Sequence, residues 1–342
     1  IVVVVLIVGF AGGKKEPQAN SQTSSQVSSS VSSPASGVSS QPSSEPASTP
    51  SSSMPEQKTP DKDPEKLNAL LLVGDTGYEY YNFVEDTAND YITMVSDAGK
   101  ELKGTATLFE MVIPTSMDIM LPESYIEKHG VNSQDQRKAI EDYIYPSIKH
   151  MNPDVETVSI FDALRSHSDE YIYFRTDHHW TQLGAYYAYE QFCKVKGFEP
   201  TPLDQFDKKS YEGFLGSFYS DSQSDAMASN PDTVEAYVPK ADATLYARQA
   251  EGDDLVDWPV IQDGSDYSSE NLYLIFIAGD QPYEEITNHD LNDGSACVVV
   301  KESFGNAFVP YLVNHYQTIY VVDYRYYDGN IAKLAKEKGA KD

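Results

Sequence analysis

From residue 67 onward the chain alternates between short apolar runs and stretches with helical spacing. Leu70-Leu71-Leu72-Val73 stops at Gly74-Asp75 and reads as a strand entering a turn. Tyr91, Val95, Ala98 and Leu102 recur on one helical face. A strand over 107–113 is stopped by Pro114. Ser133 with Gln136 has the form of a capping box, ahead of a helix striped by Ile140, Tyr143, Ile144 and Ile148 and kinked at Pro146. Further strands are expected within 157–164, over 171–174 and over 272–277. Ala185, Ala188, Tyr189 and Phe192 form the stripe of another helix. Val298-Val299-Val300 is a buried-type strand. Helical spacing follows it at Phe304, Ala307, Phe308, Tyr311, Leu312 and His315, and then a strand over 318–322. Alternation of this kind, without a repeat, predicts an α/β fold with a mainly parallel central sheet and flanking helices.

The remainder does not follow this rhythm. Residues 200–270 are acidic and rich in Gly, Ser and Tyr, and are expected to be an irregular insertion or lid. Residues 1–10 are apolar apart from Gly9 but shorter than the roughly 20 residues of a membrane span. We expect 1–12 to be a truncated signal peptide or N-terminal membrane anchor; a buried strand is the other use of such a run. Residues 21–53 contain 17 serines, and 13–66 should be a disordered Ser/Pro-rich tether. The expected organisation is therefore a folded domain over 67–342, held out from a membrane as an exported, extracellular or envelope protein.

Charge narrows the partners. The chain of 342 residues has a net charge of −28. Five basic and six acidic residues in 14–66 leave −27 of it on 67–342. Nucleic acid is excluded as a partner, because phosphates are bound by Lys and Arg clusters that are missing here. Acidic surfaces favour solubility. The two cysteines, Cys193 and Cys297, both fall on core elements and are expected as free buried thiols, pairing being the alternative.

The candidate chemistry sits at Thr176-Asp177-His178-His179-Trp180-Thr181, between an apolar run and a helix. In an extended segment residues i and i+2 face the same side. Asp177 can then hold the imidazole of His179 in one tautomer, as the acid of a triad does. The spacing favours His179 over His178 as the base. Ser303 follows a buried strand and opens a helix pattern, a position where α/β sheets collect reactive groups and where backbone N–H groups suit an oxyanion. The duller alternative for Ser303 is a plain helix cap. For the oxyanion the Ser303 N–H comes first, then the loops at Gly216 and Gly279. His178 can cap, pack or touch substrate. Trp180 is a core residue or a sugar platform. Arg325 is a substrate-anchoring cation or one half of an ion pair. A His-His-Asp metal site would need a third ligand such as His129, His150 or His289, and no spacing motif supports it. No metal and no organic cofactor is expected.

The Asp177-His178-His179-Trp180-Thr181 run resembles the signature after which the DHHW proteins of Gram-positive bacteria are named. Tyr173-Phe174-Arg175-Thr176 before it and Gly184-Ala185-Tyr186-Tyr187 after it fit as well. Those proteins are similar to SGNH-hydrolase-like O-acetyltransferases of alginate biosynthesis, in which an Asp-x-His pair precedes a Gly-Asp-Ser-Phe serine. The resemblance implies an SGNH-hydrolase-like fold with a permuted order of catalytic motifs. In it Asp177 orients, His179 is the base and Ser303 is the nucleophile. It also implies an extracytoplasmic O-acetyltransferase or acetylesterase working on a cell-wall or exopolysaccharide glycan through an acyl-serine. A membrane O-acyltransferase would be the donor partner. The departure is Lys301-Glu302 in place of Gly-Asp. The alternatives are a non-catalytic glycan-binding or envelope- or spore-assembly protein, and a metal-dependent hydrolase.

Overall fold

β-Branched and aromatic residues fill about half of the strand positions, in keeping with their fit to a pleated, half-buried surface. The structure, a computed structural model, describes residues 2–5, 57–67, 69–249 and 254–342. In chain order the strands are β1 (Val2–Val5), β2 (Glu65–Leu67), β3 (Leu70–Val73), β4 (Thr76–Glu79), β5 (Phe109–Val112), β6 (Glu156–Thr157) and β7 (Asp207–Phe214). They continue as β8 (Asp232–Val238), β9 (Ala243–Arg248), β10 (Val256–Trp258), β11 (Tyr283–Asn288), β12 (Ala296–Lys301) and β13 (Thr318–Asp323).

Eight of them form one sheet in the order β10-β9-β11-β13-β12-β1-β5-β6. From β13 to β6 the pairings are parallel, whereas β10, β9 and β11 run antiparallel up to β13. The central sheet is thus mixed, which corrects the expectation of a mainly parallel one. The short 249–255 connection between β9 and β10 is the physical reason on that side, because a parallel crossover needs a dozen or more residues. The parallel half follows the usual rule for strands covered on both faces: β12 is buried along its entire length, and its sequence is apolar without alternation until Lys301. Two smaller sheets, β2-β3-β4 and the β7-β8 hairpin, complete the strands. Val2–Val5 pairs in parallel with β12 and β5. It comes from the run read as a leader or anchor; residues 6–56, with most of the expected 13–66 tether, lie outside the described residues, while 57–66 are described and lead into β2 at Glu65.

Helices cover the sheet. Glu85–Leu102 buries Tyr91, Val95 and Leu102 of the expected stripe together with Ala88 and Ile92, while Ala98 is half-buried, and Gln182–Lys196 buries the expected Ala185, Ala188, Tyr189 and Phe192 together with Cys193. Cys193 and Cys297 are both free and buried. Among the described residues no helix is long and apolar enough to cross a membrane.

Several local expectations are corrected. The segment 272–277 forms a 3-10 turn, Leu272–Ile275, rather than a strand. The segment 157–164 gives the end of β6 and then the helix Phe161–Arg165. Residues 171–174 make only the isolated bridge Tyr173–Trp180. The 200–270 region is not irregular, since it holds β7, β8, β9 and β10 and two short helices. Ser133 and Gln136 do not cap a helix. Ser133 Oγ accepts from the Tyr81 N–H, and the Gln136 amide is tied to Thr115. The helix beyond is π-helical over Lys138–Ile144 and α-helical over Tyr145–Met151. Pro146 falls at the join, where its missing N–H removes a regular bond.

The core also holds acids. Glu110 on β5 is fully buried; Tyr91 donates to its Oε1 at 2.7 Å, and Oε2 has no partner among the described residues. Burial pushes its carboxyl up to about 8. The fold therefore holds the neutral form, so the stability this group lends is complete below the ordinary range and is lost as pH rises through about 8. Glu110→Gln should flatten that decline. Urea unfolding at about pH 5 and about pH 8.5 should shift the difference between variant and wild type in the variant's favour by roughly 2–4 kcal/mol. An unchanged difference would show that Glu110 is not held neutral.

Candidate active site

The loop that carries the Asp-His-His-Trp run is fixed by a buried acid at the start of β8. Asp232 accepts from the Tyr171 hydroxyl, from the N–H groups of Arg175 and Thr176, from Arg175 Nε and from Thr176 Oγ1. At the other end Thr181 caps the helix Gln182–Lys196, accepting from the Gly184 N–H and donating to the Tyr171 carbonyl. Gly184 permits this closure, because a Cβ there would lie 2.3 Å from the Ile172 carbonyl oxygen.

Between these anchors the side chains form a relay. Asp177 Oδ1 accepts from the His179 N–H at 2.9 Å and from His179 Nδ1 at 2.6 Å. Asp177 Oδ2 accepts from the Ser217 N–H at 2.8 Å. Burial alone would raise the Asp177 carboxyl, but the two histidines and these hydrogen bonds outweigh it and hold it well below the usual carboxylate range. An ionised carboxylate only accepts, so the proton of His179 lies on Nδ1 and Nε2 is a bare acceptor. That nitrogen is 2.7 Å from Ser303 Oγ. All three residues are buried to within a few per cent. A serine whose hydroxyl points at a base oriented by an acid is equipped for nucleophilic acyl chemistry.

The surroundings hold this line in place. Tyr273 stacks on His179, with centroids 4.0 Å apart and planes at 14°, and its hydroxyl donates to the Ser303 carbonyl. Trp180 is fully buried, and its Nε1 donates to the Phe304 carbonyl. It is a core post joining the two loops, not a sugar platform. Lys301, the residue that replaces the expected glycine, is also fully buried. Its ammonium sits among Asp280, Asp323 and the Gly279 carbonyl at 3.4–3.5 Å.

Of the remaining sequence candidates, Gly216 and Gly279 are not placed as expected, whereas the Ser303 N–H, Arg325 and His178 each take a place that the sequence left open to them. The Gly216 N–H is committed to Thr176 Oγ1 and the Gly279 N–H to the Phe276 carbonyl, so neither is an oxyanion donor. Gly216 instead backs Asp177: a Cβ would meet Asp177 Oδ2 at 2.2 Å. The Ser303 N–H has no acceptor among the described residues. The helix after Ser303 is only the single turn Gly305–Phe308, continued as a 3-10 turn. Arg325 is bound by Asp323 and Asp280, so it is an ion-pair member rather than a free anchor. His178 lies 3.8 Å from the His179 ring and bonds Ser217 Oγ through Nδ1 at 2.6 Å. Burial, and next the neighbouring His179, push its pKa down.

Asp177, His178 and His179 do gather ligand atoms within 4.8 Å of one another, and none of His129, His150 and His289 joins this cluster among the described residues. A metal would have to displace the His179–Ser303 or His179–Asp177 bond, because both ring nitrogens are engaged. Four contributors escaped the sequence reading: Ser217, Asp232, Tyr273 and Glu302. Ser217 and Asp232 lie in a region without a periodic signal, Tyr273 in a segment read as strand, and Glu302 was seen only as a departure from Gly-Asp.

The sequence model of a family described as DHHW protein matches residues 51–322. The crystal structure of a DHHW family protein from Eubacterium siraeum is 30% identical, covers 82% of this chain and 90% of its own, and superposes with a TM-score of 0.71. Bacillus cereus PatB1 shares the fold at 17% identity and a TM-score of 0.62, covering 82% of this chain and 94% of its own. A second PatB1 structure, with a sulfonyl adduct, is similar at 16% identity, 81% and 91% coverage and a TM-score of 0.62. No curated protein sequence matches.

Gly216→Ala tests the backing of the acid. The added methyl must push Asp177 away from the Ser217 N–H, so the variant should stay folded in circular dichroism yet lose at least tenfold in any Ser303-dependent reaction. Full retention of rate would show that the acid's position is not critical. Zinc added at one equivalent should not bind stoichiometrically in equilibrium dialysis, since it must break the relay to do so. One tightly held zinc per chain would favour a metal centre.

Proposed function

Since the chain belongs to the DHHW protein family, we propose that it is a serine O-acetyltransferase or acetylesterase acting outside the cytoplasm on a cell-wall or exopolysaccharide glycan. The reading is carried by one observation, the unbroken hydrogen-bonded series Asp177–His179–Ser303. The Ser/Pro-rich 13–66 segment and the strongly acidic composition support an extracytoplasmic position. PatB1 has been solved with a sulfonyl adduct; sulfonylation is a reaction of activated hydroxyls, and in this chain Ser303 is the hydroxyl placed for it.

Ser303 Oγ attacks the acetyl carbonyl of the donor while its proton passes to His179 Nε2. Asp177, accepting from Nδ1, stabilises the imidazolium that forms. The tetrahedral intermediate collapses, the donor's alcohol leaves with the proton from Nε2, and an acetyl-serine remains. A sugar hydroxyl then gives its proton to Nε2 and attacks the acetyl-serine, and collapse returns the proton to Ser303 Oγ. The product is an O-acetyl sugar; with water in place of the sugar it is acetate. The Ser303 N–H is the candidate donor to the oxyanion. No step needs an organic cofactor.

Hydrolysis of a small activated acetyl ester checks the assignment. Ser303→Ala and His179→Ala should each lose about three or more orders of magnitude in kcat, and Asp177→Asn a comparable amount by leaving the imidazole in the wrong tautomer. His178→Ala should lose far less. If wild type and all four variants show the same trace rate, the domain is a glycan-binding scaffold instead.

A further inference from the structure

The acyl chemistry above leaves Glu302 unused, although among the described residues no other carboxyl hydrogen-bonds to the reacting oxygen. Glu302 lies between Lys301 and Ser303 and is 6% exposed. Its Oε2 accepts from Ser303 Oγ at 3.2 Å and from the Phe304 N–H at 3.2 Å. Its Oε1 is buried and has no partner among the described residues. The Ser303 hydroxyl therefore has one proton and two acceptors, His179 Nε2 at 2.7 Å and Glu302 Oε2 at 3.2 Å.

The two charge states of Glu302 have opposite consequences. Ionised, it competes with His179 for the hydroxyl proton and occupies the Phe304 N–H. It also sets a negative charge beside the centre where the oxyanion grows. Protonated, its O–H is a donor. The serine proton then belongs to His179 alone, and carboxylic acids kept neutral by apolar surroundings are known to donate to oxyanions. We propose that Glu302 is a further catalytic residue, whose neutral form licenses acylation of Ser303 and whose ionised form withholds it. This rests on the acyl-serine reading given above.

The groups around Glu302 favour such a switch. Lys301 and Arg325 carry fixed positive charge nearby, but both are already paired with Asp280 and Asp323. His178, Glu79, Tyr273 and Tyr324 are the other titratable groups whose charge it senses. Burial keeps His178 towards its neutral form, so it supplies no lasting countercharge, and Glu79 can add only like charge. Burial pushes the Glu302 carboxyl up to about 7, against the opposing pull of the Phe304 N–H, Arg325 and Lys301. The sign follows: the licensed form is lost as pH rises through that value.

The test is the rate at which phenylmethylsulfonyl fluoride modifies the full chain between about pH 5.5 and pH 9.5, read by intact mass. In this reaction Ser303 Oγ bonds to sulfur, fluoride leaves and the proton goes to His179. The wild-type rate should fall by roughly tenfold per pH unit above the Glu302 midpoint. Glu302→Gln, which cannot ionise and retains an N–H donor, should keep its rate flat to about pH 9. Glu302→Asp should retain a falling limb with a moved midpoint. The proposal is overturned by a wild type without a falling limb, by a Gln variant with the same limb, or by a Gln variant slowed equally at every pH, which marks a simple backbone cap. Thermal melts separate slowing from unfolding. Should the Gln variant not fold, the wild-type and Asp profiles decide: superimposable limbs refute Glu302 as their source. Ser303→Ala modified as fast as wild type would instead defeat the acyl-serine reading itself.

Discussion

A buried carboxylate must have its oxygens met by donors, or its desolvation is not offset. Asp177 is the carboxylate on which this site depends. Its three donors come from two places, two from His179 in its own loop and one from the Ser217 backbone forty residues further on. The histidine cannot be oriented unless the Ser217 segment is in place. That segment is brought in by the β7-β8 hairpin, whose Asp232 in turn collects the N–H groups of Arg175 and Thr176. The region 200–238 is thus the back wall of the acid, with Gly216 as the gap that lets it approach.

The serine side is held by different means. Trp180 and Tyr273 both donate to carbonyls of the Ser303-Phe304 turn, so the turn is fixed from the histidine loop and from the 272–275 turn at once. Beneath it, Lys301 places a buried ammonium between Asp280 and Asp323, while Arg325 closes the same pair of acids from the other side. Removing one partner from such a group leaves an uncompensated charge in the core. This explains how a chain without the glycine of the Gly-Asp-Ser-Phe motif still presents its serine: the side chain that replaces it is paired below the sheet end rather than crowded into the site.

What could be read from sequence was what local spacing encodes. The Asp-x-His alternation, the helical stripe through Phe192 and the apolar β12 each need only a few neighbouring residues to be recognised. The strand-end serine was legible for the same reason. Pairing between distant segments was not. Nothing near residue 200 announces that β10, β9, β11 and β13 will each pair antiparallel with the next beside the parallel half. Ser133 and Gln136 have the letters of a cap but spend their side chains on Tyr81 and Thr115. Leu272–Ile275 is apolar enough for a strand, yet it forms a 3-10 turn from which Tyr273 reaches both the His179 ring and the Ser303 carbonyl. Glycines were read as open backbone, whereas Gly216 matters for the atom it lacks.

The two ends of the His179–Ser303 hydrogen bond are 124 residues apart in the chain. Contacts of such separation pay their loop-closure entropy before any return. Neither loop holds the relay by itself: the imidazole is oriented only after the hairpin closes behind it, and the serine is presented only when the sheet end is assembled. A growing or unfolded chain consequently carries no activated hydroxyl. The Asp177–His179–Ser303 series appears only together with the finished fold, so any reactivity that depends on it is absent while the chain is still being made.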